Sequence, residues 1–253
     1  MKPIRIILVR HGESLGNVDK SVYNEMPDWA VPLTDKGKEQ AATVADKILA
    51  LMQKEDLKDK MAVQHDPMPL GAWVYSSEWV RAVQTAAPFV EKATSLYLKP
   101  SFSDCYKTSI GYREDPRLRE QEWGNFQEPE ATKALRRERS RFGTFHYRFP
   151  EGESGADVYL RVSSFMDTLY RDFEKKECPR NIVIFSHGLT IRIFLMRWFQ
   201  WSFKEYEKVR NLPNCGTVIL ERPTICKPCS DYFYKEGMYG KKFVLKSKLK
   251  YRA

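Results

Sequence analysis

Two of the four histidines in the chain follow apolar segments and stand directly before a glycine. His11 ends the stretch IRIILVRH, and His187 ends the stretch NIVIFSH. In open α/β sheets, the loops at the carboxyl ends of the strands form the ligand crevice, so polar groups placed just after buried strands lie in it. The matching positions therefore predict that both imidazoles belong to one site.

Two arginines are predicted at the same edge of the sheet. Arg10 precedes His11, and Arg81 lies near the start of a helical segment that follows the apolar run AWVY. Guanidinium groups carry fixed forks of donors that match phosphate oxygens. A neutral imidazole nitrogen is a competent nucleophile near pH 7, because its free pKa is about 6.5. This combination of side chains favours phosphoryl transfer.

Short apolar runs predict the strands that must hold these side chains, and helical patterns lie between them. The helical pattern from Thr34 begins at a candidate N-cap, the one from Ser154 has capping-box spacing to Asp157, and the one at 189–201 is apolar nearly all round. Strands that alternate with helices predict an α/β fold, with three layers and a mainly parallel sheet covered on both faces. The predicted strands are residues 4–9, 72–75, 182–185 and 217–220.

Residues 97–150 differ from the rest of the chain. They are polar, aromatic and rich in arginine, and they show no clear core pattern. We predict that residues 1–253 form a single domain, in which residues 97–150 are a lid-like insertion over the carboxyl-terminal edge of the sheet.

Composition narrows the class of protein. The 253 residues are 42 % apolar, which is enough for one large core. The sequence has neither the roughly 20 uninterrupted apolar residues of a membrane helix nor the pattern of a signal peptide, so a soluble, cytoplasmic protein is expected. The five cysteines are an odd number at irregular spacing, which predicts reduced thiols. Cys226 and Cys229 have the spacing of half a zinc site, but free thiols are the expectation.

The net charge of +9 admits nucleic acid, an acidic membrane surface or anionic small substrates as partners. No recognisable nucleic-acid motif is present, so nucleic acid and membrane are not expected partners. The basic segment KKFVLKSKLKYR near the C-terminus is interpreted as a solvated edge strand that its lysines protect from pairing.

Five motifs along the chain resemble one family. They are LVRHGES, SSEWVRAVQTA, RLREQEWGNF, FPEGESGADVYLRV and FSHGLTIR, and their order is that of the histidine phosphatase superfamily. The resemblance covers nearly the whole chain. It is closest to the phosphoglycerate-mutase-like branch known from fungi and plants, which implies a phosphoglycerate mutase-like fold.

The resemblance also implies roles for individual residues. His11 attacks phosphorus in line and becomes a phosphohistidine, and Glu120 protonates the leaving oxygen and then deprotonates the hydrolytic water. Neither a metal nor an organic cofactor is expected, because cationic side chains neutralise the transferred phosphoryl group. The side chains and backbone groups expected to bind the phosphate or the rest of the substrate are Arg10, Asn17, Tyr23, Arg81, Trp123, His187 and Gly188.

The resemblance leaves the reaction open between a phosphatase and a 2,3-bisphosphoglycerate-dependent phosphoglycerate mutase. Trp123 stands where the mutases have a tyrosine, and the segment after GNF lacks their proline-rich stretch, so a phosphoric monoester hydrolase is favoured. A non-catalytic module that binds phosphate or a phosphoprotein would not need the proton donor Glu120. The expected partner is a phosphorylated, anionic small molecule, with a phosphoprotein as an alternative, and the protein is expected to be a monomer or homodimer.

Charged residues are dense between positions 113 and 148, where eight arginines interleave with seven acids. One interpretation is a solvated lid whose charges mostly cancel. The other is that Arg136 or Arg137, in the run RRERSR, holds a second anionic group of the substrate. If neither does, Tyr23 and Trp123 are the expected determinants of substrate choice.

Overall fold

A computed structural model of the chain describes residues 3–57, 68–99, 107–124 and 129–222, together with residues 244, 245, 247 and 249. These residues build a six-stranded sheet between two layers of helices. The strands are β1 (Arg5–Arg10), β2 (Leu70–Ser76), β3 (Thr108–Glu114), β4 (Asn181–Ser186), β5 (Thr217–Glu221) and β6 (Val244–Leu245). The helices are α1 (Leu15–Val18), α2 (Asp35–Leu57), α3 (Val80–Tyr97), α4 (Pro129–Phe142), α5 (Gly155–Phe173), α6 (Gly188–Phe199) and α7 (Phe203–Lys208).

The strand order β3-β2-β4-β1-β5-β6 makes the sheet mainly parallel, as predicted. Strands β1, β2, β3 and β4 run parallel, whereas β5 is antiparallel to β1 and β6 to β5. In this register Arg10 pairs with Ser186, and Ser76 pairs with Phe185. The residues that follow β1, β2 and β4 therefore meet at one edge.

Side chains of the sheet alternate between two cores, which confirms the predicted three layers. Ile6 and Leu8 contact α5 and α6 on one face, and Ile7 and Val9 contact α2 and α3 on the other. All four side chains are fully buried. Because both faces are covered, the central strands carry continuous apolar runs.

The start signals of the helices are confirmed. The Gly37 N–H donates to Thr34 Oγ1 at 3.0 Å, and α2 begins at the next residue after Thr34. Ser154 and Asp157 form the capping box of α5: each backbone N–H donates to the other's side chain, at 2.7 and 3.3 Å. The apolar row of α5 is buried as its spacing predicts, at Val158, Val162, Phe165, Leu169 and Phe173.

The segment predicted as an insertion differs from that prediction in one part. Residues 108–114 form β3, a strand of the main sheet beside β2, so they are not a lid above it. Their burial pattern is half-buried to exposed, because β3 is the edge strand, and this removes the apolar signal that marks the inner strands. Helix α4 lies in the later part of the segment.

At the opposite edge, β6 pairs with β5, which agrees with the edge strand predicted near the C-terminus for the two residues that the structure describes there. Cys226 and Cys229 lie outside the described residues. Within the described part of the chain, none of the helices combines the length and apolar character needed to cross a membrane.

Candidate active site

The imidazoles of His11 and His187 face each other at the carboxyl edge of the sheet, with ring centroids 5.1 Å apart. The backbone N–H of His11 donates to the Ser186 carbonyl at 2.9 Å, which joins the loop after β1 to the end of β4. The Ser77 N–H donates to the Phe185 carbonyl at 2.9 Å, which joins the loop after β2 to the same strand. The prediction that these loops meet is therefore confirmed.

Hydrogen bonding fixes which nitrogen of His11 is free to react. Nδ1 lies 2.7 Å from the Gly12 carbonyl, an acceptor, so Nδ1 carries the proton and Nε2 keeps its lone pair. Burial, reinforced by the positive charges of Arg81 and Arg10, holds the pKa of His11 well below its usual value. The ring is therefore neutral near pH 7, which is the form that a nucleophile requires.

His187 is fully buried and is held by the loop after β2. Its Nε2 lies 2.9 Å from Ser77 Oγ, while Nδ1 is buried with no hydrogen-bond partner among the described residues. The Trp79 ring packs edge-on against the imidazole, at a centroid distance of 5.1 Å. Burial, and then the charge of Arg81, holds the pKa of His187 well below its usual value.

Arg10 and Arg81 bring positive charge to both imidazoles. Arg10 Nη1 donates to the Leu212 carbonyl, and its buried Nε has no partner in the described part of the chain. Arg81 is 4 % exposed, and its Nη1 lies 2.9 Å from Asp28 Oδ1. Both guanidinium groups are thus oriented by contacts that leave other N–H groups of each fork for a phosphate.

Glu120 is brought to the N-terminus of α6, the helix that follows His187. Its Oε2 accepts from the Leu189 N–H at 3.3 Å, and its Oε1 accepts from the Thr190 N–H and the Thr190 hydroxyl, both at 3.2 Å. Unpaired N–H groups at a helix N-terminus favour a negative charge. The structure therefore gives the carboxylate a fixed position beside the two histidines.

An ion pair between Arg161 and Glu153 braces the segment that carries Glu120. Arg161 donates to the carbonyls of Arg117, Arg119 and Glu120 at 2.7, 2.8 and 2.9 Å. Its remaining bonds reach both carboxylate oxygens of Glu153, at 2.9 and 3.0 Å. Sequence reasoning missed this brace, although both residues lie in the quoted motif FPEGESGADVYLRV.

The backbone and amide groups near the two histidines differ in the contacts that they make. The Gly12 N–H donates to Thr85 Oγ1 at 3.0 Å, so it is engaged within the protein, and a Cβ at Gly12 would approach the Gly37 carbonyl to 2.6 Å. Gly188 is the first residue of α6 and directly follows His187, so the helix begins one residue before the predicted start at 189. Asn17 accepts from Asn214 Nδ2 at 2.7 Å through its amide oxygen, which orients the side chain near the His11 loop.

Tyr23 and Trp123 line a cavity of about 460 Å³, and Trp79, which packs on His187, belongs to the same wall. Burial, with the charge of Asp28, raises the pKa of Tyr23 to about 12, so the phenol stays neutral and can donate a hydrogen bond. Trp123 packs edge-on against Phe149 at a centroid distance of 4.8 Å. The cavity reaches the phosphate-binding groups through Asp28, the partner of Arg81.

The arginines of α4 occupy different positions. The guanidinium carbon of Arg136 lies 5.9 Å from the centre of the Trp123 ring, and that of Arg139 lies 5.0 Å from it. Lys20, which sequence reasoning missed, lies over the Tyr23 ring at 5.6 Å. Desolvation, and then the positive charge of Arg136, lowers the pKa of Lys20. The two exposed cations lie against Tyr23 and Trp123, which belong to the wall of one cavity. We call Lys20 and Arg136 the basic rim.

The fold has three layers, and the paired histidines lie at the carboxyl edge of its parallel strands. The chain is therefore an α/β protein with a ligand crevice at that edge. The chain belongs to the histidine phosphatase superfamily (branch 1), whose family model matches residues 6–225. The resemblance seen in the motifs is thereby confirmed. Within the described residues, no group of three or more His, Cys, Asp and Glu side chains has the arrangement of a metal site.

Known relatives of the chain include a phosphoglycerate mutase-like protein and an acid phosphatase. The chain is 40 % identical over 228 residues to a phosphoglycerate mutase-like protein of Arabidopsis thaliana, covering 87 % of this chain and 75 % of that one. It is 28 % identical over 286 residues to a broad-range acid phosphatase of Saccharomyces cerevisiae, covering 87 % and 86 %. These relatives support a phosphatase-type enzyme.

Solved structures show the same fold. A structure described as mycobacterial hydrolase 1 matches with a TM-score of 0.64 at 19 % identity, covering 98 % of this chain and 99 % of that one. A mycobacterial glucosyl-3-phosphoglycerate phosphatase in complex with VO3 matches with a TM-score of 0.58 at 21 % identity, covering 86 % and 92 %.

Proposed function

We propose that the protein is a phosphomonoesterase that works through a phosphohistidine on His11, with Glu120 as general acid and base. The observation that carries the proposal is the hydrogen bond between His11 Nδ1 and the Gly12 carbonyl. Because Nδ1–H is the donor in this bond, the neutral Nε2 is left as the nucleophile in a pocket of cationic side chains.

In the first step, His11 Nε2 forms a bond to phosphorus while the bond from phosphorus to the ester oxygen breaks. Arg10, Arg81 and His187 bind the three non-bridging oxygens, where negative charge is spread in the transition state. Glu120 gives its proton to the leaving alkoxide, which departs as an alcohol. Bonds to the first N–H groups of α6 fix the position of Glu120. A dianionic phosphate bound beside it favours the protonated acid over the carboxylate that those N–H groups stabilise.

In the second step, water attacks the phosphohistidine and the bond from phosphorus to Nε2 breaks. Glu120, now ionised, takes a proton from that water, and inorganic phosphate leaves. A mutase would instead return the phosphoryl group to a second hydroxyl of a phosphoglycerate. The tryptophan at position 123 and the segment after GNF, which both differ from the mutases, support hydrolysis.

A panel of phosphomonoesters that includes the phosphoglycerates tests this function. We expect release of inorganic phosphate from several esters, with no added metal required. Transfer of phosphate between positions of phosphoglycerate at a rate far above phosphate release would contradict the phosphatase assignment and favour the mutase.

Arg10, Arg81 and His187 are expected to act as one electrostatic unit. Alanine at any one of them should lower kcat/KM by roughly 10²- to 10³-fold, because each binds charge that develops in the transition state. Pairs of these changes should cost less than the sum of the single changes. Steady-state kinetics of the single and double variants measure both effects.

Arg171→Ala is the matched control, because Arg171 lies in the last turn of α5 and bonds Thr168 Oγ1. Among the described contacts, the exposed Arg171 side chain reaches none of the phosphate-binding side chains, so kinetics should be unchanged. Vanadate soaked into crystals should lie between Arg10, Arg81 and His187. Vanadate bound at another position, or fully additive double variants, would refute the unit.

The basic rim is proposed to hold a second anionic group of the substrate, a carboxylate or another phosphate. Arg136→Ala should reduce the preference for a bis-anionic over a mono-anionic ester by roughly ten- to a hundredfold, and added salt should reduce it further. Arg137→Ala is the control from the same helix, since no contact places that exposed side chain at the cavity.

Substrate pairs compared at two salt concentrations measure this preference. A preference that is unchanged in both the Arg136 and the Arg137 variant would assign both arginines to the solvated face of α4. The same assignment would follow if wild-type protein showed no preference for bis-anionic esters.

A further inference from the structure

Glu78 is a carboxylate beside the candidate site to which the proposed mechanism gives no role. It lies between Ser77, which holds His187, and Trp79, which packs on the same imidazole. Its Oε2 is buried, yet no described residue donates a hydrogen bond to it. Burial accordingly raises the pKa of Glu78.

Arg119 and Arg161, two cations whose charges act on Glu78, do not donate to its Oε2. Arg119 donates to Glu122 at 2.8 Å, to Glu153 at 2.9 Å and to the Pro116 carbonyl at 3.2 Å. Arg161 bonds Glu153 and the carbonyls of the Glu120 segment. Buried carboxylate oxygens normally have donors, so a partner for Oε2 from outside the chain is chemically favoured.

Glu78 forms part of the wall of the cavity of about 460 Å³, which is the size of a small-molecule site. Aromatic and carboxylate side chains dominate the rest of that wall. Arg119 is the cation that lines it, and it is already paired with Glu122 and Glu153. The aromatic and acidic residues of the lining are Tyr23, Asp28, Trp29, Glu78, Trp79, Glu122, Trp123 and Glu151.

This wall suits a group that is neutral and carries hydroxyls. Aromatic faces pack against the apolar C–H edges of a carbon chain or ring. A carboxyl oxygen that has no donor accepts a hydrogen bond from a hydroxyl group, and a wall rich in carboxylates disfavours a further anion. The cavity therefore differs from the basic rim, and the two recognise different parts of one substrate.

We propose that Glu78 is a specificity-determining residue that accepts a hydrogen bond from a hydroxyl of the substrate's alcohol portion, as in the phosphate ester of a sugar or polyol. This inference rests on the proposed phosphatase function, because it assigns the leaving group of that reaction to the cavity.

Three esters of equal chain length test the inference: a hexitol monophosphate, hexyl phosphate and aminohexyl phosphate. Wild-type kcat/KM should favour the hexitol ester over hexyl phosphate by about ten- to a hundredfold. Glu78→Ala should bring that ratio to within about threefold, because the acceptor is lost. Glu78→Gln should keep part of the preference, because its amide oxygen can still accept a hydrogen bond from a hydroxyl. The ratio isolates recognition of the hydroxyls, since all three esters share one phosphoryl group.

Glu174→Gln is the matched control, because it removes an exposed carboxylate at the far end of α5. It should leave the ratio unchanged. Vanadate affinity should persist in both Glu78 variants; its loss would show that Glu78 only supports the phosphate site and would overturn the inference.

The remaining outcomes separate this inference from the proposed function. Equal rates for the hexitol and hexyl esters in wild type would overturn the inference alone. A preference for aminohexyl phosphate that disappears in Glu78→Gln would also overturn it, since the cavity would then select a cation. If wild type hydrolysed no phosphomonoester at all, the proposed function would fail and the inference with it.

Discussion

His11→Ala is expected to abolish phosphatase turnover, with a loss of about four to six orders of magnitude in kcat. His187 should not take over, because a hydrogen bond donated by Ser77 Oγ to Nε2 leaves the proton on Nδ1, which then donates to phosphate and has no lone pair for attack. The measurement is phosphate release from p-nitrophenyl phosphate and from one alkyl phosphate.

His146→Ala is the control for this variant, because His146 is an exposed histidine on the turn after α4 and packs against Phe203. It should retain wild-type turnover. An alanine variant at His11 that keeps more than about a tenth of wild-type activity would show that another group is the nucleophile.

Glu120→Gln is expected to slow hydrolysis of alkyl phosphates by roughly 10²- to 10⁴-fold. The loss with p-nitrophenyl phosphate should be smaller, because nitrophenolate leaves without a proton. The amide of glutamine can still accept from Leu189 and Thr190, so the geometry at the N-terminus of α6 is retained. Comparing kcat/KM for the two ester types measures the effect.

Glu122→Gln is the comparison within the same segment, since Glu122 bonds Arg119 and is 49 % exposed at its side chain. It should lower both activities equally and only slightly. An equal loss for both esters in Glu120→Gln, or a leaving-group dependence in Glu122→Gln, would move the acid role to Glu122.

The parts of the fold that local sequence determines were predicted well. The runs at 4–9 and 182–185 are buried on both sides, and continuous apolar strands of this kind are recognisable without knowledge of their partners. The capping box at Ser154 and Asp157 is likewise a signal that spans only a few residues. Strand β3 was missed, because an exposed edge strand lacks both features.

The same distinction holds for the candidate site. Arg10 ends β1, and His11 and His187 directly follow β1 and β4, so parallel pairing of these two strands was enough to predict that they meet. Glu120 does not directly follow a strand, and only the family motif selected it over Glu122. Its position depends on contacts with α6, about seventy positions away along the chain, as the separation of Glu120 from Thr190 shows.

Residues that support the site were the hardest to find. Asp28 orients Arg81 from a separation of 53 residues, and Arg161 braces the Glu120 segment from a separation of 41. Glu78 was part of a quoted motif, but burial of its carboxylate oxygen without a donor is a property of the folded chain. Single-sequence patterns report local spacing and cannot report such long-range contacts.

The central claim is that the phosphoryl group passes through His11, and isolating the phosphorylated protein tests it most directly. Protein mixed with a phosphomonoester and quenched within one turnover should carry one phosphoryl group that is labile in acid and stable in alkali. Peptide mass spectrometry should place that group on His11, and Glu120→Gln should increase the amount trapped when p-nitrophenyl phosphate is the substrate, since hydrolysis of the intermediate is slowed. Phosphate on His187, or rapid turnover with no phosphoryl-protein at any quench time, would contradict the account.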